Sequence, residues 1–208
     1  MKIEYVASRP DRAGRYTVRF EDGSSQRLYR QTMEDFGIYA GKELTDDQYA
    51  GLLENASAVS AKMRAVRIIS ASNVSKRDLQ RRLVQKGEDP QQAKDAVAWL
   101  SQLDLVDDRK TAEQIVQRCI YKGYGISRAK QALYEKQIPK EYWDEVLEGY
   151  PDQTDAIRAF LESRLGKTRD ERELRRATDA LLRRGHSYSE IRRAMEDFYV
   201  EQEFVEDI

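Results

Sequence analysis

An internal repeat restricts the fold of this 208-residue chain more than any other feature of its sequence. Three stretches align with one another without gaps, so that Leu83, Leu133 and Leu181 coincide at spacings of 50 and then 48 residues. Repeats of this length are typical of stacked helical units, each of which is too small to bury a generous core alone. The aligned stretches are LQRRLVQKGEDPQQAKDAVAWL from residue 79, AKQALYEKQIPKEYWDEVLEGY from residue 129 and ATDALLRRGHSYSEIRRAMEDF from residue 177.

Each repeat predicts three helices. In the first copy, Ser75 is placed to cap the second helix and Gly87 to end it. Asp89 before Pro90 predicts the start of the third helix, because a proline at the first helical position loses no hydrogen bond. The apolar periodicity of residues 46–72 fits either one long helix or two shorter ones. The sequence therefore predicts a mainly α protein in which three tandem three-helix repeats form an elongated array.

The first 45 residues have a different pattern. RYTVRF, from Arg15, alternates apolar and polar residues, and EDGSS, from Glu21, is typical of a hairpin turn. With KIEYVA, from Lys2, they predict a small antiparallel β-hairpin or sheet that leans on the helix opened by Thr45. The predicted division is 1–45 for this β extension, 46–106 for a linking helix and the first repeat, 107–150 for the second repeat, and 151–208 for the third repeat with an acidic tail.

The composition favours an intracellular helical protein. Hydrophobic residues make up 40% of the chain, and 4 prolines and 11 glycines leave little turn material for a large β fold. No apolar run reaches the roughly 18 residues of a membrane span, and the amino-terminal residues lack a signal-peptide core. The single cysteine, Cys119, excludes an intramolecular disulfide. We therefore expect a cytoplasmic protein that has no membrane partner and acts as a monomer.

The charges are balanced overall but segregated along the chain. Lysine and arginine total 36 against 37 aspartates and glutamates, and a net charge of −1 at first argues against a nucleic-acid partner. However, basic blocks at 62–94, 109–140 and 164–193 alternate with acidic blocks at 95–108 and 141–163. The alternation follows the period of the repeat.

No combination of residues predicts an enzyme. The adjacent pair Asp107 and Asp108 could be catalytic or could bind a metal, but the one histidine, His186, lies in another repeat. Capping of the following helix is the better interpretation of the two aspartates, and a helix-end cap or a surface contact is that of His186. Gly125 predicts a tight turn and not a phosphate loop, because no strand precedes it. We therefore predict no catalytic residue, metal or cofactor; the predicted junction and capping residues are Asp107, Asp108, Gly87 and Gly125.

The second helix of each repeat is rich in arginine and lysine. A solvated surface is the simpler interpretation of any single cation, but three copies of a basic helix indicate a repeated contact with phosphate or with an acidic protein groove. The acidic third helices argue against sequence-specific reading of a DNA duplex. The candidate contact residues are Arg64, Arg67, Lys76, Arg77, Arg81, Arg82, Lys86, Arg118, Arg128, Lys130, Lys136, Arg175, Arg176, Arg183 and Arg184.

These stretches resemble the RecX family, the modulators of the RecA recombinase. The resemblance covers about residues 60–140 and extends into the third repeat. Thr111 departs from the family pattern, which has an aromatic residue there. The matching segments, in order, are SKRDLQRRLVQKG from Ser75, AVAWLSQLDLVDDRKTAEQIVQR from Ala96 and GYGISRAKQALYEKQI from Gly123.

The resemblance implies a non-enzymatic inhibitor. RecX proteins bind the RecA filament on single-stranded DNA, lie along its groove and suppress ATP hydrolysis, strand exchange and RecA-stimulated repressor cleavage, in DNA recombination, repair and the SOS response. The expected partners are therefore the RecA filament and the single-stranded DNA within or beside it. The alternative function is RecA-independent binding of single-stranded nucleic acid, which would be tight on naked DNA and steeply dependent on salt.

Overall fold

The computed structural model describes residues 1–166 and 170–206. They form a mainly helical structure with one small antiparallel sheet at the amino terminus, as the sequence predicted. The chain divides into two compact units, Met1–Val106 and Asp107–Ile208. The strands are β1 (Ile3–Val6), β2 (Arg15–Phe20) and β3 (Ser25–Tyr29); the helices are α1 (Arg30–Asp35), α2 (Asp46–Ala71), α3 (Lys76–Gln85), α4 (Pro90–Gln102), α5 (Asp108–Tyr121), α6 (Ile126–Glu135), α7 (Trp143–Leu147), α8 (Thr154–Leu165), α9 (Glu171–Arg183) and α10 (Tyr188–Glu206).

The sheet packs against the start of α2. Its order is β1-β2-β3, and both neighbouring pairs are antiparallel. The apolar positions of the alternating strands, Val18 and Phe20 among them, are buried in one cluster with Leu52 of α2. A three-stranded sheet this small needs such support, because it cannot bury enough apolar surface alone.

Residues 46–71 form one helix, which settles the choice between one helix and two. Thr45 opens α2 with a capping box, in which its hydroxyl accepts from the amide of Gln48 and its own amide donates to the Gln48 side chain. Leu52, in the first part of the helix, belongs to the sheet cluster, whereas Ala61 and Ala65 belong to the cluster formed with α3 and α4. One long helix therefore serves two cores of the first unit.

Three hydrophobic clusters are each built by three consecutive helices. We call these groups the first (α2, α3, α4), second (α5, α6, α7) and third (α8, α9, α10) helix triplets. At their centres lie the aligned leucines Leu83, Leu133 and Leu181, each with no exposed surface. The number of repeats, their elongated arrangement and the four-part division of the chain stay predictions.

The second helix of each triplet ends in a Schellman motif. A residue in the left-handed region follows the helix, with φ of +88° at Gly87, +55° at Gln137 and +87° at Gly185. The amide after it then donates to the carbonyl of the buried leucine, which reverses the chain toward the third helix. These bonds join Glu88 N to Leu83 O (3.1 Å), Ile138 N to Leu133 O (3.0 Å) and His186 N to Leu181 O (3.3 Å).

The third helix of the second triplet is shorter than the sequence predicted. A 3₁₀ turn over Lys140–Tyr142 leads into α7, which has 5 residues. Trp143 donates from Nε1 to the carbonyl of Ile138 at 3.1 Å, and the hydroxyl of Tyr150 donates to Tyr124 O at 2.7 Å. These two hydrogen bonds anchor the first residue of α7 and the chain just after the helix.

Replacing Gln137 with glycine should stabilise the protein. Gln137 occupies the position that glycine holds in the other two Schellman motifs, and its side chain makes the left-handed conformation unfavourable. We expect Gln137→Gly to raise the free energy of unfolding by about 0.5–1 kcal/mol in urea titrations. Gln117→Gly, at an exposed position within α5, is the matched control and should lower it by about 1 kcal/mol. A loss of stability in Gln137→Gly would contradict this account.

Candidate functional site

The two adjacent aspartates have different environments. Asp107 is the N-cap of α5, and its carboxylate accepts from the amides of Arg109 (2.9 Å) and Lys110 (3.1 Å). Asp108 is the first residue of the helix and is buried. Within residues 1–166 and 170–206, no three His, Cys, Asp or Glu side chains come together as a possible metal site. The pair therefore supports the start of α5 in the second unit.

In the first unit, four of the candidate cations surround one open depression. Arg64 and Arg67 come from α2, and Arg82 and Lys86 come from the region of α3 and its C-cap. Successive turns of α2 place Arg64 and Arg67 on neighbouring positions of one face. The remaining lining residues are Ile68, Ala71 and Ser72. The lining contains no carboxylate, in a unit that the structure describes in full.

Two of these arginines form ion pairs with buried carboxylates on the protein side of the depression. Glu88, which directs its side chain inward from the Schellman motif, accepts from Nε of Arg64 and from the Ser60 hydroxyl (3.1 Å). Asp78 is almost completely buried, and its Oδ2 lies 2.8 Å from Nη2 of Arg82. Arg81 forms a second ion pair with the same carboxylate. One negative charge therefore faces two guanidinium groups, and the cluster keeps a positive excess.

The cations of the second triplet are divided between α5 and α6. Arg118 and Lys130 are exposed, whereas Arg128 is half-buried and lies 3.0 Å from Glu135 through Nη1. Lys136 is the C-cap of α6. The structure therefore leaves Lys130 as the most accessible candidate cation on α6 itself.

In the third triplet, α8 and α9 form another depression lined by arginines. Arg176 and Arg183 of α9 take part in it, together with Arg164, Phe160 and Asp179. Unlike the depression of the first unit, this one contains a carboxylate. Arg176 lies 2.5 Å from Glu173, Arg175 pairs with Glu171, and the guanidinium carbon of Arg184 lies 4.3 Å from the centre of the Phe160 ring.

Sequence reasoning did not single out an exposed apolar position that recurs on the three second helices. The residue after each buried leucine is large and apolar, and its exposed fraction is 41% for Val84, 72% for Tyr134 and 43% for Leu182. Positions three, four and seven residues earlier share its face of the helix. Those positions include Arg77 and Arg81 on α3, Lys130 on α6 and Arg175 on α9. The repeat alignment itself contains this signal, because 84, 134 and 182 coincide in it.

Within the second unit, two glycines let the second and third triplets approach closely. The amide of Gly125 donates to Arg184 O at 3.0 Å, and a Cβ at Gly125 would lie only 2.1 Å from Gly185 O. Gly125 is the N-cap of α6 and its φ of −71° is ordinary, so the absence of a side chain serves this backbone contact; the left-handed conformation lies two residues earlier, at Gly123, with a φ of +62°.

His186 lies at the same contact and is buried, which the sequence did not predict. Its Nε2 lies 3.0 Å from Gly123 O. Burial lowers the pKa of the His186 imidazole, and its hydrogen bond to Gly123 partly opposes that shift.

Comparison with known proteins identifies the family. No family model matches the chain. The regulatory protein RecX of Halorhodospira halophila is 30% identical over 147 residues, which are 68% of this chain and 91% of that protein. The chain belongs to the RecX family. RecX of Caldanaerobacter subterraneus subsp. tengcongensis is 26% identical over 188 residues, which cover 89% of this chain and 94% of the relative.

Solved structures agree with the RecX fold. A crystal structure of regulatory protein RecX has a TM-score of 0.62 at 18% identity and covers 94% of this chain and 98% of its own. RecX from Lactobacillus salivarius has a TM-score of 0.57 and covers 69% and 97%. RecX relatives are named as regulatory proteins, and the prediction of a non-enzymatic regulator is confirmed on that ground. Over the described residues, no helix is both long and apolar enough to cross a bilayer.

Adding a methyl group at Gly125 should destabilise the second unit of this RecX protein. The new Cβ would meet backbone atoms of Gly185 and His186, which cannot move aside as a side chain can. We expect Gly125→Ala to lower the free energy of unfolding by about 2–3 kcal/mol in urea titrations. Gly51→Ala, inside α2, is the matched control. Its Cβ would make ordinary contact with Phe36, and the change should raise the free energy of unfolding by about 1 kcal/mol. Equal effects of the two changes would contradict the close approach.

His186 should make the second unit less stable in mild acid. Because its folded pKa lies below the ordinary value of 6.5, the unfolded chain binds a proton more readily than the folded chain. The contribution of His186 is therefore complete above about pH 6.5 and is lost as the pH falls below that value. We expect the free energy of unfolding to decrease between pH 7.5 and pH 5.5, and this part of the decrease to vanish in His186→Gln. An identical pH profile in both proteins would contradict the assignment.

Proposed function

We propose that this RecX protein binds a RecA filament on single-stranded DNA and inhibits its ATP hydrolysis, strand exchange and coprotease activity. The contact surface is formed by the second helices α3, α6 and α9. The protein acts as a monomer in the cytoplasm, in DNA recombination, repair and the SOS response. The observation that carries the proposal is the recurrence of an exposed apolar side chain beside exposed cations on all three helices.

This combination fits a protein partner better than nucleic acid alone. Val84 and Leu182 have no aromatic face for stacking on a base and no polar atom for hydrogen bonding to a phosphate. An apolar side chain with one or two cations beside it instead matches a small apolar pocket with an acidic rim on a protein. Three equivalent side chains could occupy equivalent pockets on successive subunits of a polymer, and several weak contacts would then add through effective concentration.

The ion pairs of the cations decide which candidate residues can be mutated without unfolding the protein. Arg81 and Arg82 neutralise the buried Asp78, so reversing their charge would leave that carboxylate uncompensated and would unfold the first unit. Arg77 and Lys130 are exposed and make no ion pair within the described part of the chain. The recurring apolar side chains of Val84, Tyr134 and Leu182 can be truncated with little loss of stability, because a large share of each is already exposed to water.

Truncating the recurring apolar position should weaken inhibition of the cognate RecA. We expect the wild-type protein to inhibit ATP hydrolysis on single-stranded DNA at well below one copy per RecA. The triple change Val84→Ser, Tyr134→Ser and Leu182→Ser should raise the half-inhibitory concentration by between about tenfold and a hundredfold, since a truncated interface contact costs on the order of 1 kcal/mol.

The matched control removes three exposed apolar side chains elsewhere: Leu103→Ser, Tyr121→Ser and Tyr188→Ser. It should change the half-inhibitory concentration by less than about twofold. Similar losses in both triple variants would refute the assigned surface. Absence of inhibition by the wild-type protein, with tight and salt-dependent binding to naked single strands, would instead support the RecA-independent alternative.

A further inference from the structure

The depression between α2 and α3 has the properties of an anion-binding site. Four cations, Arg64, Arg67, Arg82 and Lys86, contribute to its lining, which contains no carboxylate. Like charges gathered in this way repel one another, and buried carboxylates pair with only two of the four, Arg64 and Arg82. A ligand that carries negative charge would remove this repulsion.

The two buried carboxylates prepare the site without occupying it. Glu88 binds Arg64, and Asp78 binds Arg82, from the protein side. The two guanidinium groups are thereby held in place, while the side chains stay partly exposed, 30% for Arg64 and 32% for Arg82. An arginine already held in place loses less conformational entropy when it binds a ligand. Its remaining donors can then face an anion as a fork.

The other two cations supply charge that is not neutralised. Arg67 makes one hydrogen bond, from Nη2 to the carbonyl of Ala13 at 3.3 Å, and has no acidic partner in the first unit. Lys86 is exposed at the C-cap of α3 and likewise has no ion pair among the described residues. The hydroxyl of Ser72, 3.5 Å from Nη1 of Arg82, adds a polar group between the helices.

We infer that this depression binds the phosphodiester backbone of single-stranded nucleic acid. A strand carries one charge at every nucleotide and can therefore satisfy several grouped cations, whereas acidic side chains on a folded protein are more scattered. Ile68 and Ala71 provide apolar lining that can contact the bases of a single strand, whose faces a duplex keeps stacked inside. The inference deepens the proposed function, on which it rests for its physiological ligand: the recurring apolar position of the second helices contacts protein, and the depression between α2 and α3 contacts the strand.

The test measures binding of a fluorescent oligothymidylate to the full-length protein, without RecA, over a series of salt concentrations. Arg67→Gln with Lys86→Gln removes the two cations that do not compensate a buried carboxylate, so the fold is retained. Loss of two phosphate contacts should reduce the slope of log affinity against log salt by about 1.4, which is 0.7 for each contact on a single strand. Binding at low salt should weaken in the same variant.

The matched control is Arg27→Gln with Lys94→Gln, which removes the same charge from exposed positions on β3 and α4 that are outside the depression. It should leave the slope unchanged to within about 0.3. Equal changes in the two double variants would overturn the site, because only net charge would then matter. Displacement of the oligonucleotide by polyglutamate at equal charge concentration would also overturn it in favour of an acidic protein ligand.

The outcome is separable from that of the proposed function. Oligonucleotide binding is measured without the recombinase, whereas inhibition is measured through ATP hydrolysis. A protein that inhibits RecA through its second helices but shows no difference between the two double variants would refute the phosphate site alone. A protein that shows the expected slope but never inhibits would refute the proposed function alone.

Discussion

The hydrogen bond from the residue after the left-handed turn to the buried leucine is the interaction on which each helix triplet depends. It joins Glu88 to Leu83 in the first triplet and recurs at the equivalent residues of the other two. The bond ends the second helix, reverses the chain and directs the side chain of the donor residue toward the interior. Because the leucine at the acceptor end is fully buried, the turn is tied to the core, and a shift of either would disturb both.

The same inward position is used for three different purposes. Ile138 fills the core of the second triplet, as a hydrophobic residue at this point of a Schellman motif commonly does. Glu88 instead places a carboxylate under Arg64, and His186 places an imidazole against Gly123. One backbone device therefore yields a packing residue, a support for a cationic surface and a contact between triplets, and only the side chain differs.

Local features were predictable from the sequence, and contacts between distant residues were not. Thr45, Ser75 and Asp89 cap their helices as their sequence context indicates, because capping depends on residues two or three positions away. By contrast, the pair of Arg64 with Glu88 spans 24 positions, and His186 lies 63 positions from Gly123. No spacing rule connects such residues, so the separation of structural from free cations could not be derived from the sequence.

The distribution of the acids also reconciles an overall charge of −1 with basic surfaces. Asp78 and Glu88 are buried, so they cancel charge in the total while the arginines above them still reach the surface. A nearly neutral protein exerts little long-range attraction on nucleic acid, and its binding must then come from close contacts. Such a protein would be held only weakly by arbitrary polyanions. It would bind firmly to a partner that contacts its apolar side chains and its positioned cations at the same time, as a filament that presents both protein and a single strand does.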